Sequence, residues 1–213
     1  MLFSALKSRR YRRYWFGSMG TVGASQLMLM AQGWLIFELS GSPMDLGVLG
    51  AAVSGPAIVV LLFGGVLADR FDRRVLLMTT SLITAVLLLV QAFLDYSGVV
   101  EVWHVLVLGC VIGIVTGFEW PVRQALFAKL ITPDQMMSAV SLNSILWQGS
   151  RMILPALAGV LIAAAGTSVV FALGALGFVG MFFTLVGMQV ERQAAATGGT
   201  GQQFAEGIRF IFT

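Results

Sequence analysis

Six apolar runs, each long enough to cross a bilayer as a helix, leave this chain few ways to fold. They cover Tyr14 to Leu39, Leu46 to Ala68, Val75 to Leu94, Val102 to Gln124, Ser138 to Ala164 and Ser168 to Val190. A hydrocarbon core roughly 30 Å thick needs about 20 helical residues to span it. In lipid every backbone N–H and C=O must find its partner within the protein, so only helices and closed barrels cross. Runs this long, without period-two alternation, exclude the barrel. The expectation is an all-α membrane protein of six transmembrane helices. Charged residues make up 11% of the 213 positions, too few to wet a globular surface that ordinarily carries roughly 25%. The first run is too long for a signal-peptide core and has no small-residue cleavage site, so it is read as an uncleaved helix.

The basic residues set an orientation. Lys7, Arg9, Arg10, Arg12 and Arg13 precede the first run; Arg70, Arg73 and Arg74 separate the second and third; Lys129 separates the fourth and fifth; Arg192 and Arg209 follow the sixth. The alternate connections hold Pro43 and Asp45, then Asp95 and Glu101, then Gly166 and Thr167, without Lys or Arg. By the positive-inside rule both termini are expected in the cytoplasm. The expected organisation is a basic N-terminus over 1–13, a bundle over 14–190 and a cytoplasmic linker over 191–213, polar and small around Ala194 to Gly201. With the charges distributed this way, the net charge of +3 says nothing of nucleic acid, and none is expected as a partner.

Small residues recur every four positions, at Gly109, Gly113 and Gly117 and at Gly47, Ala51 and Gly55, a spacing that lets helices approach closely in lipid. Trp15 and Trp103 fall where interfacial indoles are favoured. Cys110 is read as a small packing residue. His104 is read as an interface residue, since no second His or Cys accompanies it as a zinc site needs. Pro56 and Pro155 stand in mid-run in the second and fifth segments, each with a small residue eight positions on, Gly64 and Ala163. That is the placement expected of two three-helix repeats.

The stretch Gly64-Gly65-Val66-Leu67-Ala68-Asp69-Arg70-Phe71-Asp72-Arg73-Arg74 resembles the signature loop of the major facilitator superfamily. Asp72 stands where that family usually has glycine. The stretches Trp34 to Pro43, Pro121 to Leu126 and Ser138 to Ser144 are similar to one branch, the drug and siderophore exporters akin to the enterobactin exporter and the macrolide efflux proteins. Two features depart from the drug exporters: Leu154, not glycine, precedes Pro155, and no arginine lies around Gly109 to Gly117. The resemblance implies the N-terminal six-helix half of a transporter. Its second half would come from the same full-length chain or from another subunit. It also implies a cavity lined by the first, second, fourth and fifth helices, and a cytoplasmic gate formed by Gly65, Asp69, Arg70, Arg73 and Arg74.

Ionisable side chains at bilayer depth are costly and mark functional candidates. Glu119, Arg123 and Arg151 qualify. Glu119 and Arg123 are spaced i, i+4 with the acid first, the favourable order for a helical ion pair. Arg123 is thus either half of a structural pair or part of the gate's latch. Arg151 lies about 20 Å in from Ser138, and Glu119 about 15 Å in from Lys129, at 1.5 Å per residue. If their faces coincide the two meet, and Glu119 then carries a proton that Arg151 tunes, or the two form a permanent buried pair. Gln148 and Trp147 flank Arg151, and Gln26 and Gln32 lie in the first helix; all four are expected to line the cavity.

No Gly-rich loop ending in Gly-Lys-Ser/Thr is present, so the chain carries no nucleotide-binding module of that kind. No nucleophile and base pair stands out, and neither enzymatic activity nor a cofactor is expected. The expected function is proton-coupled efflux of small amphipathic or hydrophobic compounds, of drug, macrolide or siderophore type, by an antiporter in a bacterial inner membrane. The competing expectation is a six-helix membrane scaffold, partner subunit or remnant that transports nothing.

Overall fold

A computed structural model of the chain describes residues 4–68 and 72–188, with side chains in 62–68 outside that description. A 3-10 turn at Ser4–Lys7 leads into six helices: α1 Arg9–Ser40, α2 Pro43–Ala68, α3 Arg73–Tyr96, α4 Val102–Lys129, α5 Met136–Ala165 and α6 Thr167–Val186. The protein is all-α, with long apolar helices of a multi-pass membrane protein. The expected boundaries shift outward at several ends. α1 starts at Arg9 because Ser8 caps it, its hydroxyl accepting from the Tyr11 N–H. α2 starts at Pro43, whose fixed φ and missing N–H suit a first turn.

α2 to α6 are each long and apolar enough to cross a membrane. α1 has the length, about 48 Å at 1.5 Å per residue, but its sequence is more polar. Its polar residues are turned inward: Ser18, Thr21, Gln26 and Gln32 are all buried. Ser18, Thr21 and Gln32 bond to neighbouring helices, and Gln26 lines a cavity.

The principal seams are α2 on α4, α3 on α6 and α1 on α6, with α3 on α4 and α1 on α5 completing the bundle. Glycine makes two of them close. A Cβ on Gly113 would stand 2.1 Å from the Val53 carbonyl oxygen, and one on Gly177 would stand 2.5 Å from that of Gly20. The expected glycine stripe on α4 is thus the surface on which α2 lies. The stripe on α2 points elsewhere: nothing stands within 4 Å of a Cβ at Gly47 or Gly55. α2 and α5 bury little of their apolar spans within the described chain, while α3, α4 and α6 bury far more. An open cleft is left between α2 and α5 with α1 as its floor.

The core has two layers. One gathers Leu35, Ile36, Leu88, Phe171 and Phe178; the other gathers Tyr11, Tyr14, Leu77, Val122, Leu126 and Leu185. Arginines close the second end. Arg74 donates to the Leu185 and Val186 carbonyls (2.7 and 2.9 Å), Arg13 to Gly187 (3.1 Å) and Arg73 to Ala125 (3.5 Å). These carbonyls lie at or near the C-termini of α6 and α4, where the negative end of the helix dipole favours a cation. At the opposite end Thr167 donates to Asp95. There Glu101 and His104 cap α4 reciprocally, with Trp103 stacked on the imidazole.

Candidate functional site

The site assembles where α1, α4 and α5 converge. Glu119 and Arg123 project from one face of α4, one turn apart, and form a buried ion pair. Arg123 also reaches α1, donating to Ser18 Oγ at 3.3 Å and Thr21 Oγ1 at 3.0 Å, while the Tyr14 hydroxyl donates to the Arg123 carbonyl at 3.5 Å. One guanidinium fork, with its five donors, therefore joins a carboxylate on α4 to two hydroxyls on α1. A cavity of about 90 Å³ opens beside it, lined by Val22, Ser25, Thr116, Glu119, Trp120, Arg123 and Trp147. Trp120 and Trp147 meet edge to face at 5.5 Å across the α4–α5 gap.

A larger cavity, about 450 Å³ and almost wholly apolar, continues along α1. Gln26, Leu29, Met30, Gly33, Trp34 and Phe37 line it from α1, Leu46 from α2 and Pro155 from α5. Gln26 is its polar residue. The two follow one another along α1 without a shared lining residue: a charged, hydrogen-bonded lower chamber at Val22 and Ser25, and an oily upper one from Gln26 to Phe37.

The remaining candidates distribute as follows. Trp147 lines the lower chamber. Arg151, one turn further along α5, is exposed, its guanidinium 6.0 Å from the Trp147 ring centroid. Glu119 and Arg151 are not joined: the carboxylate goes to Arg123, four residues away on its own helix. Gln148 is exposed on α5. Gln32 lies in a seam, fully buried, its amide donating at 3.0 Å to Gln91 on α3. In the loop, Arg73 and Arg74 bind the ends of α4 and α6 as described, Gly65 lies in the last turns of α2, and Asp69 and Arg70 fall outside the described residues.

Sequence reasoning missed Tyr14, Ser18 and Thr21, the α1 half of the cluster, although the signal was present. Tyr14, Ser18, Thr21 and Ser25 recur at three- and four-residue steps, a polar stripe along one helix face. Gln91 on α3 gave no comparable signal, being a single amide in an apolar run. Among the described residues no group of three His, Cys, Asp or Glu side chains gathers as a metal site would require.

A multi-pass helical bundle with a buried ion pair beside an open intramembrane cleft has the architecture of a membrane transporter rather than of a soluble or single-pass protein. The chain matches the family described as transmembrane secretion effector over residues 2–212, and it belongs to these transporters of the major facilitator type. That family is not one of enzymes. An MFS-type transporter of Bacillus subtilis (strain 168), YfiS, is 30% identical over 167 residues, covering 74% of this chain and 39% of the relative. Macrolide efflux protein A of Streptococcus pyogenes is 28% identical over 176 residues, 80% of this chain and 42% of the relative. The staphyloferrin A transporter of Staphylococcus aureus (strain NCTC 8325 / PS 47) is 27% identical over 135 residues, 61% and 33% respectively. The chain thus spans well under half the length of the curated relatives it matches.

Proposed function

We propose that this bundle is the N-terminal half of a secondary active exporter. It moves small amphipathic or hydrophobic compounds out of the cell by alternating access, coupled to protons through Glu119. The observation that carries the reading is the buried Glu119–Arg123 pair on the wall of the cleft, bonded across to Ser18 and Thr21. An ionised Glu119 holds Arg123, and Arg123 holds α1 to α4. A proton on Glu119 removes the charge that Arg123 faces and loosens this cross-link, so protonation and helix packing are coupled at one point. The mixed names of the relatives, a macrolide efflux protein and a staphyloferrin A transporter, support small-molecule export and leave the compound unspecified.

The second six-helix half completes the transport path over the exposed faces of α2 and α5. The bundle's paired seams favour two three-helix repeats: α2 on α4 corresponds to α5 on α1, and α3 on α4 to α6 on α1. The basic end faces the cytoplasm of a bacterial cell, a reading that the loop charges support. The loop from Gly65 through Asp69 and Arg70 to Arg74 serves as the cytoplasmic gate, and the grip of Arg73 and Arg74 on the ends of α4 and α6 supports its coupling to the bundle.

The test is efflux from inverted membrane vesicles carrying the whole transporter, using an erythromycin-type macrolide and a neutral hydrophobic dye, with and without a proton gradient. Glu119→Gln is expected to leave the protein folded and to abolish gradient-dependent movement. Unchanged gradient dependence would remove Glu119 from the mechanism.

A further inference from the structure

One intramembrane charge takes no part in the coupling scheme. Arg151 stands at the middle of α5, about 22 Å from Met136 and about 21 Å from Ala165 along the helix axis. Its side chain is exposed, and among the described residues it has no ion-pair or hydrogen-bond partner. Arginine stays protonated under all ordinary conditions, so a full positive charge persists at a depth where insertion costs roughly 2.5–3.5 kcal/mol.

Its direction is fixed by its neighbours. Trp147, Arg151 and Pro155 are spaced i, i+4, i+8 and share one face of α5. Trp147 lines the lower chamber and Pro155 the upper one. Leu154, one residue before Pro155, packs on α1 at Gly23. Arg151 lies between Trp147 and Pro155 on that face of α5, exposed at a level between the two chambers and in the lining of neither. The other charges at this depth, Glu119 and Arg123, neutralise each other. Asp45, Asp95 and Glu101 all lie at the far end of the bundle. Glu38 lies on α1 at that same far end, so among the described residues Arg151 is the unneutralised charge at mid-depth.

We infer that Arg151 anchors the anionic group of the transported compound, and that the preferred substrates are amphiphiles carrying a carboxylate or a comparable anion. The guanidinium fork pairs with a planar carboxylate through two parallel hydrogen bonds. Trp147 holds the arginine from one side by a cation–π contact. The upper chamber, with Leu29, Met30, Trp34 and Phe37, receives the apolar body. This inference rests on the export reading and names the chemistry of its substrate.

Equilibrium dialysis of the purified full-length protein in neutral detergent, with radiolabelled 1-naphthaleneacetate and its uncharged amide, tests it. The two probes share a ring system and differ in charge. The carboxylate is expected to bind at least about tenfold more tightly, the contribution of one charge-assisted hydrogen bond. Arg151→Gln should bring the ratio close to one, and Arg151→Lys should retain a preference. Thermal unfolding of Arg151→Gln, expected to match the parent, separates a lost anchor from a lost fold. Equal binding of both probes, binding of neither, or a preference surviving Arg151→Gln would overturn the anchor. Gradient dependence is read separately at Glu119, so the two proposals fail independently. A carboxylate preference with normal Glu119→Gln export spares the anchor; lost export with no preference spares the coupling.

Discussion

Gly113→Ala adds one methyl group at the tightest point of the largest helix seam. The new Cβ would stand 2.1 Å from the Val53 carbonyl oxygen, 2.9 Å from its carbon and 3.1 Å from its Cα. All three are backbone atoms of α2, so no rotamer change relieves them. α2 and α4 must part by about 1 Å at this level, and a gap of about 0.5–1 Å already forfeits a quarter to a half of each facing dispersion contact. Overpacking of a close-packed interface costs about 1–3 kcal/mol, and a backbone obstacle places this site at the upper end. Alanine also favours the helix over glycine by about 1 kcal/mol. Gly55→Ala supplies the control, because it carries the same gain and meets nothing within 4 Å. The propensity term cancels between the two variants, leaving a difference of about 2–3 kcal/mol. In a chain of this size that is a gap in Tm of about 4–12 °C, measurable by thermal unfolding in mild detergent. If the two variants melt together, α2 and α4 do not pack at Gly113 and the seam is wrong.

Three further perturbations follow from buried polar contacts. Arg123→Ala leaves Glu119 buried and unpaired and should cost about 3–5 kcal/mol; pairing it with Glu119→Gln should recover part of that loss in a double-mutant cycle of thermal unfolding. Gln32→Leu removes the hydrogen-bond partner of Gln91, whose Nε2 already lacks one, at a cost of about 1–3 kcal/mol, whereas Gln32→Leu combined with Gln91→Leu should melt near the parent. Arg74→Ala releases the Leu185 and Val186 carbonyls, and faster amide exchange in the last turn of α6, with α2 and α5 unchanged, is the expected readout by hydrogen exchange.

The class of fold was legible because its cause is strong and local: apolar runs of bilayer length admit only one backbone solution. Seam identity was legible in part. The α4 glycine stripe signalled close approach without naming the partner helix, and the α2 stripe, identical in spacing, faces open space. Spacing specifies a face, whereas its neighbour depends on tertiary topology. The ion pair Glu119–Arg123 was readable for the same local reason, being four residues apart on one helix. Arg151 and Glu119 were matched by depth alone, and depth does not fix azimuth. Helices α4 and α5 have no substantial direct seam, each packing mainly on other helices, so equal depth did not bring their side chains together. Gln32 shows the converse error, since a polar residue in a cavity-lining helix also serves when turned to the seam behind.

The polarity of α1 explains why the cleft lies where it does. A helix that must cross lipid with Ser18, Thr21, Ser25, Gln26 and Gln32 along its length is tolerable only if those groups meet protein or a cavity. Each does: Gln32 meets Gln91, Ser18 and Thr21 meet Arg123, the Ser25 hydroxyl donates to the Thr21 carbonyl, and Gln26 faces the upper chamber. α1 therefore belongs at the centre of the assembly, flanked by α6 behind and by α2 and α5 at the sides. The more apolar α2 and α5 then stand at the margins of the cleft, with most of their apolar spans uncovered within the described chain. Under the proposed coupling, a proton on Glu119 would act on the floor of the cleft through the Arg123 cross-link to Ser18 and Thr21. The ion-pair cluster and the cavities lie together because the same helix has to hide its polar groups and line the cleft.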